Sequence, residues 1–211
     1  RGNAGGFGGE MKDVVERVSV LKVKSHPDGI GTKLKTTAQN EKLFELMELN
    51  NTDCQFAYRD SIFKRHPEWI ILSATLKLAK GDRAAIQENI RKITQERITK
   101  QDIGTKSCGC IFKNVAWDRE DINRDTLLAQ FPELEQFKDR PHIPASYLLD
   151  ASGCKGLRAG PVVISPRHAN FFINEGGASS KDVCTLIQQA KLQVQKKYGI
   201  LLEEEIQYVG F

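Results

Sequence analysis

Two cysteines one residue apart, Cys108 and Cys110, stand in the run KSCGCIFKN (residues 106–114), which ends on Lys113 and Asn114. Thiols at this spacing could clip a metal, form a redox pair or fill small packing positions. Zinc sites usually bring a second pair of cysteines or histidines, but none follows here and the four histidines are scattered. The redox motif with known helix-start chemistry is Cys-x-x-Cys, not Cys-x-Cys. On the residues alone the pair stays undecided. Arg59, in the run YRDS, offers a guanidinium that stays charged at any working pH and can fork onto a carboxylate, or it can pair with its neighbour Asp60. Glu203, Glu204 and Glu205 form an acidic run, which is ordinarily solvated unless burial raises a pKa. The run NAGGFGG (residues 3–9) is a glycine-rich loop whose amides could form an anion-binding nest. It does not fit Gly-x-Gly-x-x-Gly and leads into a strand rather than a helix, unlike a dinucleotide fingerprint. The run SPRHANF (residues 165–171) gathers Ser165, Arg167, His168 and Asn170 around a turn.

Elements must hold these groups in place. The β-branched residues of 14–23 predict a strand, residues 25–31 a turn cluster, and residues 40–49 a short helical or extended segment. A strand is expected over 69–78. From Asp82, a plausible N-cap, Ile86, Ile90 and Ile93 recur at helical spacing and predict a helix to about Lys100. Residues 118–140 are polar, with breakers at Pro132 and Pro141, and read as a surface insertion with a helical turn. A short helix is expected over 144–152 and strands over 157–165 and 168–174, joined by the Ser165-Pro166-Arg167 turn. Ser179 is placed to cap an amphipathic helix whose Val183, Leu186, Ile187, Ala190 and Val194 share a face, and Gly199 to end it. A last strand is expected over 200–209. This mixed order predicts an α+β fold with at least two packing units, and no internal repeat is present.

The 211 residues are enough for one large domain or two small ones. A hydrophobic fraction of 40% and a charged fraction of 27% are near globular averages, and no apolar run approaches the ~20 residues of a membrane helix. The net charge of +4, with both signs interspersed, carries no nucleic-acid footprint. Five cysteines, an odd number at irregular spacings, argue against a disulfide framework and for a reducing compartment. The chain opens on Arg1 with neither an initiator Met nor a secretory signal, and it reads as beginning at a cut edge.

Taken together, the runs GNAGGFGGEM, FAYRDSIFK, SCGCIFKN, LLDASGCKGLRAGPVVISPRHANFFIN and YGILLEEEIQYVG, in this order, resemble the UDP-N-acetylenolpyruvoylglucosamine reductase family nearly end to end. The resemblance implies an FAD-binding region of the vanillyl-alcohol-oxidase/PCMH type, here partial, and a separate α+β substrate-binding domain. By it, residues 1–105 are the later part of the FAD-binding region, 106–199 the substrate-binding domain, and 200–211 a strand returning to the FAD-binding region. The family's upstream Gly-rich segment, which holds the FAD diphosphate, has no counterpart here.

The implied activity is FAD-dependent reduction of UDP-N-acetylglucosamine enolpyruvate with NADPH as hydride donor, in cytoplasmic peptidoglycan precursor synthesis. No metal, nucleic acid or membrane is involved, and oligomeric state has no signature. Arg59 matches the family's catalytic arginine, and Glu205, by its place before Ile206, the catalytic glutamate. Cys110 stands where many members carry the serine that protonates the substrate carbon. A free thiol, with a pKa near ~8.5, is a better acid than a serine hydroxyl. Cys108 is expected to be a small buried packing residue. Asn3, Ala4, Gly5, Gly6, Phe7 and Gly8 match the loop beside the flavin. Tyr58, Lys113, Asn114, Ser165, His168 and Asn170 match the substrate site, although for His168 a satisfied structural role is the favoured reading. Two other readings stay open: an FAD oxidoreductase of the same superfamily with another substrate, and a non-catalytic nucleotide-sugar-binding remnant.

Overall fold

The computed structural model describes residues 5–6, 9–23, 44–102 and 104–210. Asn3, Ala4, Phe7, Gly8 and the turn expected over 25–31 lie outside the described residues. The fold is α+β, as expected, and divides into two compact units, Arg1–Ile86 and Gln87–Phe211.

In the first unit β1 (Gly5–Gly6) pairs antiparallel with β2 (Gly9–Glu10), and a short 3-10 turn at Met11–Asp13 leads into β3 (Val15–Val23). β3 is the middle strand of an antiparallel sheet between β4 (Phe44–Asn50) and β5 (Trp69–Leu76). Residues 44–50 therefore take the extended alternative. Val18 and Val20 point to one face at the strand period of two. Val15 joins them because the pairing with β5 shifts register between Val15 and Arg17. The three valines are buried with Cys54, Phe63 from α1 (Ile62–Arg65), and Trp69.

Most of β5 beyond Trp69 faces outward, Ile70, Ile71, Leu72 and Leu76 among it. The expected helix follows as α2 (Arg83–Lys100), its first turn capped where the Ala85 N–H donates to Asp82 Oδ2 at 2.8 Å. Its isoleucines lie where the spacing puts them, but Ile86, Ile90 and Ile98 are exposed. Among the described residues no helix is long and apolar enough to cross a membrane.

In the second unit β6 (Val115–Ala116) pairs antiparallel with β7 (His142–Ile143). Between them run α3 (Arg124–Gln130) and a 3-10 helix at Pro132–Phe137. The expected helical turn is present and most of 118–140 is exposed, but the stretch is not merely a surface insertion. Asn123 caps α3 by accepting the Thr126 N–H, and Pro132 starts the next turn. The two short helices thereby turn the sparse apolar residues inward, so that Leu127, Leu134 and Phe137 join Trp117 in the main core. Leu134 is fully buried, and Leu134→Ala is expected to cost about 2–5 kcal/mol, read by urea or thermal unfolding; a change under ~0.5 kcal/mol would restore the insertion reading.

The rest of the unit is α4 (Ala145–Ala151), a small antiparallel sheet of β8 (Arg158–Ala159), β9 (Val162–Ile164) and β10 (Phe172–Asn174), and the long α5 (Ser180–Tyr198). The single strand expected over 157–165 is instead a hairpin, because Gly160 takes φ +54° and Pro161 follows it. α5 is built as its sequence predicts. Ser179 and Asp182 form a reciprocal capping box, Leu186, Ile187, Ala190, Val194 and Tyr198 are buried, and Gly199 closes the helix at φ +71°. The strand expected over 200–209 is not formed. That segment is irregular apart from one bridge, Phe112 to Glu204, and its Ile200 and Leu202 are buried in the second unit's core.

Candidate active site

The run around Cys110 lies between two other segments. On one side the Ile111 N–H donates to the Asn170 carbonyl at 2.9 Å, and Cys110 bridges Phe171. On the other, the Glu205 N–H donates to the Ile111 carbonyl at 2.7 Å and the Lys113 N–H to the Glu203 carbonyl at 2.9 Å. Ile111 and Phe112 are buried and anchor the run in the core. Cys110 and Glu205 are both half-buried, on neighbouring backbones tied through Ile111. The sequence runs GCIF and LLEEEI are thus brought together in register across ninety-odd residues of chain.

Cys108 is exposed rather than buried, which corrects the expected packing role. Gly109 between the two cysteines has φ +86°, so the backbone turns there and separates their environments. Buried thiols are found instead at Cys54 and Cys154, and burial pushes Cys154 up to about 11. No group of three or more His, Cys, Asp or Glu side chains among the described residues could hold a metal ion.

The three glutamates have distinct surroundings. Glu203 is exposed and paired with Lys113 Nζ at 3.1 Å and, more loosely, with Arg119 Nη1 at 3.8 Å. Glu204 accepts from Lys191 Nζ at 3.1 Å and from the Tyr208 hydroxyl at 2.7 Å. Burial raises the Glu204 pKa, but those two partners outweigh it and hold the carboxyl below its ordinary value. Glu205 is left as the member of the run whose main chain is bonded beside Cys110.

Lys113 is one-third exposed at its side chain and carries the Glu203 ion pair to the rim. Asn114 Oδ1 accepts the Ala145 N–H at 3.1 Å, at the first residue of α4. Ser165 is fully buried; its Oγ accepts the Arg167 and His168 N–H groups, each at 3.0 Å, and donates to Asp102 Oδ2. Asp102 in turn faces Arg167 Nε at 3.9 Å. Nothing in the sequence pointed to Asp102, because its partners lie more than sixty residues away.

His168 packs edge-on against Phe171, with ring centroids 4.7 Å apart. Burial, helped by Lys155 and opposed by Asp102, lowers its pKa. A histidine whose pKa is lowered by folding takes up its proton more readily when unfolded. Its contribution is present above the unfolded pKa of ~6.5 and is lost as pH falls below it. The melting temperature should drop between pH 7.5 and 5.5, and His168→Gln should flatten that slope; an unchanged slope would contradict the assignment.

Arg59 lies in the first unit. Ala57 and Asp60 exchange main-chain hydrogen bonds, each 3.1 Å, around a tight turn with Tyr58 and Arg59 at its corner. Arg59 takes φ +55°, a left-handed backbone that favours glycine. Lys64 Nζ donates to the Arg59 carbonyl at 2.6 Å, and the guanidinium lies 5.5 Å from the Tyr58 ring centre. Gly5 and Gly6 pair with Glu10 and Gly9, so the described part of the glycine loop offers main-chain groups alone, which fits close approach by a planar ring or a phosphate. An open cleft of ≈ 530 Å³ in this unit, lined by Lys12, Asn51 and Lys77 among others, holds none of the predicted site residues.

Residues 101–209 match the family model described as UDP-N-acetylenolpyruvoylglucosamine reductase, C-terminal domain. The chain is 31% identical over 215 residues to the UDP-N-acetylenolpyruvoylglucosamine reductase of Solibacter usitatus, covering 99% of this chain and 59% of the relative. It is 32% identical over 210 residues to that of Carboxydothermus hydrogenoformans, covering 100% and 55%. It is also similar to the crystal structure of UDP-N-acetylenolpyruvylglucosamine reductase from Thermus caldophilus, with a TM-score of 0.62 and 28% identity over 98% of this chain and 57% of that one. The chain spans between half and three-fifths of the length of these relatives.

Proposed function

The chain belongs to the UDP-N-acetylenolpyruvoylglucosamine reductase family, and from that premise we propose that it serves the FAD-dependent, NADPH-using reduction of UDP-N-acetylglucosamine enolpyruvate to UDP-N-acetylmuramate. In this reading the reaction belongs to cytoplasmic peptidoglycan precursor synthesis. Residues 1–105 are the later part of an FAD-binding region of the vanillyl-alcohol-oxidase/PCMH type, with residues 3–8 beside the flavin. Residues 106–199 form the substrate-binding domain, and the closing residues 200–211, with Glu205, are counted with the FAD-binding region.

When bound, FAD with NADPH as donor would supply a hydride to the enolpyruvyl double bond. Addition leaves negative charge on the carbon beside the carboxylate and on the carboxylate itself, so the site needs a fixed cation and a proton donor. The Arg59 guanidinium takes the carboxylate in a two-point fork. The Cys110 Sγ–H gives its proton to the carbon and recovers it from solvent. Glu205 lies beside the acid and orients the groups around it. Lys113 and Asn114 meet the diphosphate and sugar from the rim, with Tyr58 and His168 at the substrate's other edges. Ser165 and Asn170, buried and hydrogen-bonded within the protein, act from behind that surface.

The observation that carries this reading is the register that sets the Glu205 backbone on Ile111, next to Cys110. It is tested by reducing the full-length protein with NADPH without oxygen and offering a panel of enolpyruvyl and unrelated acceptors. Rapid reoxidation by UDP-N-acetylglucosamine enolpyruvate alone is the expected result; reoxidation by a different acceptor, with none by this one, would point to another oxidoreductase of the superfamily.

A further inference from the structure

Phe112 and Asn170 are 1% and 2% exposed. In a regular ladder the N–H and C=O of one residue go to main-chain partners. At Phe112 one side chain takes both: the Phe112 N–H donates to Asn170 Oδ1 at 2.8 Å, and Asn170 Nδ2 donates to the Phe112 carbonyl at 2.8 Å. With the Ile111 N–H on the Asn170 carbonyl, a single residue makes three bonds to the run that carries Cys110. Among the described residues that run has isolated bridges to Phe171 and to Glu204 and a few single main-chain bonds around it, and no long strand fixes its register. A slip of one residue would turn Cys110 to the opposite face.

We propose that Asn170 is a positioning residue, whose carboxamide locks the register of Cys110 and, through the Ile111 carbonyl, of Glu205. The proposal rests on the reading of Cys110 as the proton donor. A carboxamide at this reach sets a donor and an acceptor side by side at any working pH. Alanine supplies neither, and ionised aspartate has two acceptors facing a carbonyl. Protonated aspartate has the same shape as asparagine and regains the donor.

The test uses Asn170→Ala and Asn170→Asp in the full-length protein, with amide exchange, thiol labelling by iodoacetamide and steady-state kinetics. In Asn170→Ala the Phe112 amide is expected to exchange ~10–100-fold faster while the amides of α5 keep their protection. Labelling of Cys110 should speed up relative to exposed Cys108, an internal control on the same loop. The kcat should fall ~10–10²-fold with KM nearly unchanged, as for a misplaced rather than a missing group. In Asn170→Asp, kcat should recover as pH is lowered, relative to both the unsubstituted protein and Asn170→Ala. This arm also tests the lock if the alanine variant does not fold. Unchanged Phe112 exchange and Cys110 labelling in a folded Asn170→Ala protein, or no acid recovery in Asn170→Asp, would overturn the lock. If exchange and labelling change as expected but Cys110→Ala turns over normally, the lock stands and the proton-donor reading falls.

Discussion

Replacing Cys110 by alanine in the full-length protein is expected to leave flavin reduction by NADPH intact while lowering turnover of the enolpyruvyl sugar ~10²–10⁴-fold, the range for loss of a general acid. The split between half-reactions is the informative part. A thiol that only packs would, on truncation, lower stability without separating the two halves. Cys110 is half-buried and the main chain at its neighbour Ile111 is held on both sides, so alanine removes the Sγ–H while leaving the main-chain bonds in place. Serine keeps an O–H at nearly the same position, and Cys110→Ser should keep much of the rate. Stopped-flow measurement of each half-reaction checks this; full turnover in Cys110→Ala would remove the assignment.

A second large effect is expected at Arg59. Arg59→Lys keeps the charge but removes the planar fork, and turnover should fall ~10²–10³-fold, comparable to removing one fixed donor from a developing anion. The backbone adds a second signature. At φ +55° the arginine bears a left-handed conformation that costs a side-chain residue about 1–2 kcal/mol. Glycine has no such penalty but gives up more chain entropy. Arg59→Gly should therefore hold or raise stability by up to about 1 kcal/mol while turnover is lost. A residue whose replacement stabilises the fold and abolishes activity is held in place for chemistry. If Arg59→Gly unfolds at markedly lower temperature, the side chain's contacts rather than its reach toward substrate account for the strained turn.

The parts of the fold legible in the sequence were those with local signals. α5 announces itself by the Ser179–Asp182 box, a buried stripe and Gly199, all within one helix's length. α2 likewise follows from Asp82 and its isoleucines. What did not follow locally was which faces are covered: the same isoleucines that predict the helix are exposed on it. The closing segment alternates Ile200 and Leu202 inward, the pattern of a strand, but its neighbour across the ladder is one short run and only a bridge forms. Residues 118–140 looked superficial because Leu127, Leu134 and Phe137 are sparse among charges, and only the two short helices turn them to one side.

The candidate site divides in the same way. The family resemblance carried by the ordered motifs singled out Cys110, Glu205 and Arg59. The feature separating Cys110 from Cys108 is the turn at Gly109, a backbone angle that glycine permits but does not dictate. Asn170 and Ser165 were singled out as substrate contacts, whereas their polar atoms meet Phe112, Asp102 and neighbouring amides. Phe112 and Asp102 lie about sixty residues from them, a distance over which no periodicity speaks.

The central claim, that Cys110 and Arg59 serve addition across an enolpyruvyl double bond, is tested most directly by product analysis in deuterated water. The full-length protein, NADPH and UDP-N-acetylglucosamine enolpyruvate should give UDP-N-acetylmuramate with deuterium from solvent at the carbon bearing the carboxylate, and the yield should collapse in Cys110→Ala. Recovery of the enolpyruvyl sugar unchanged, while NADPH is consumed by another acceptor, would contradict it.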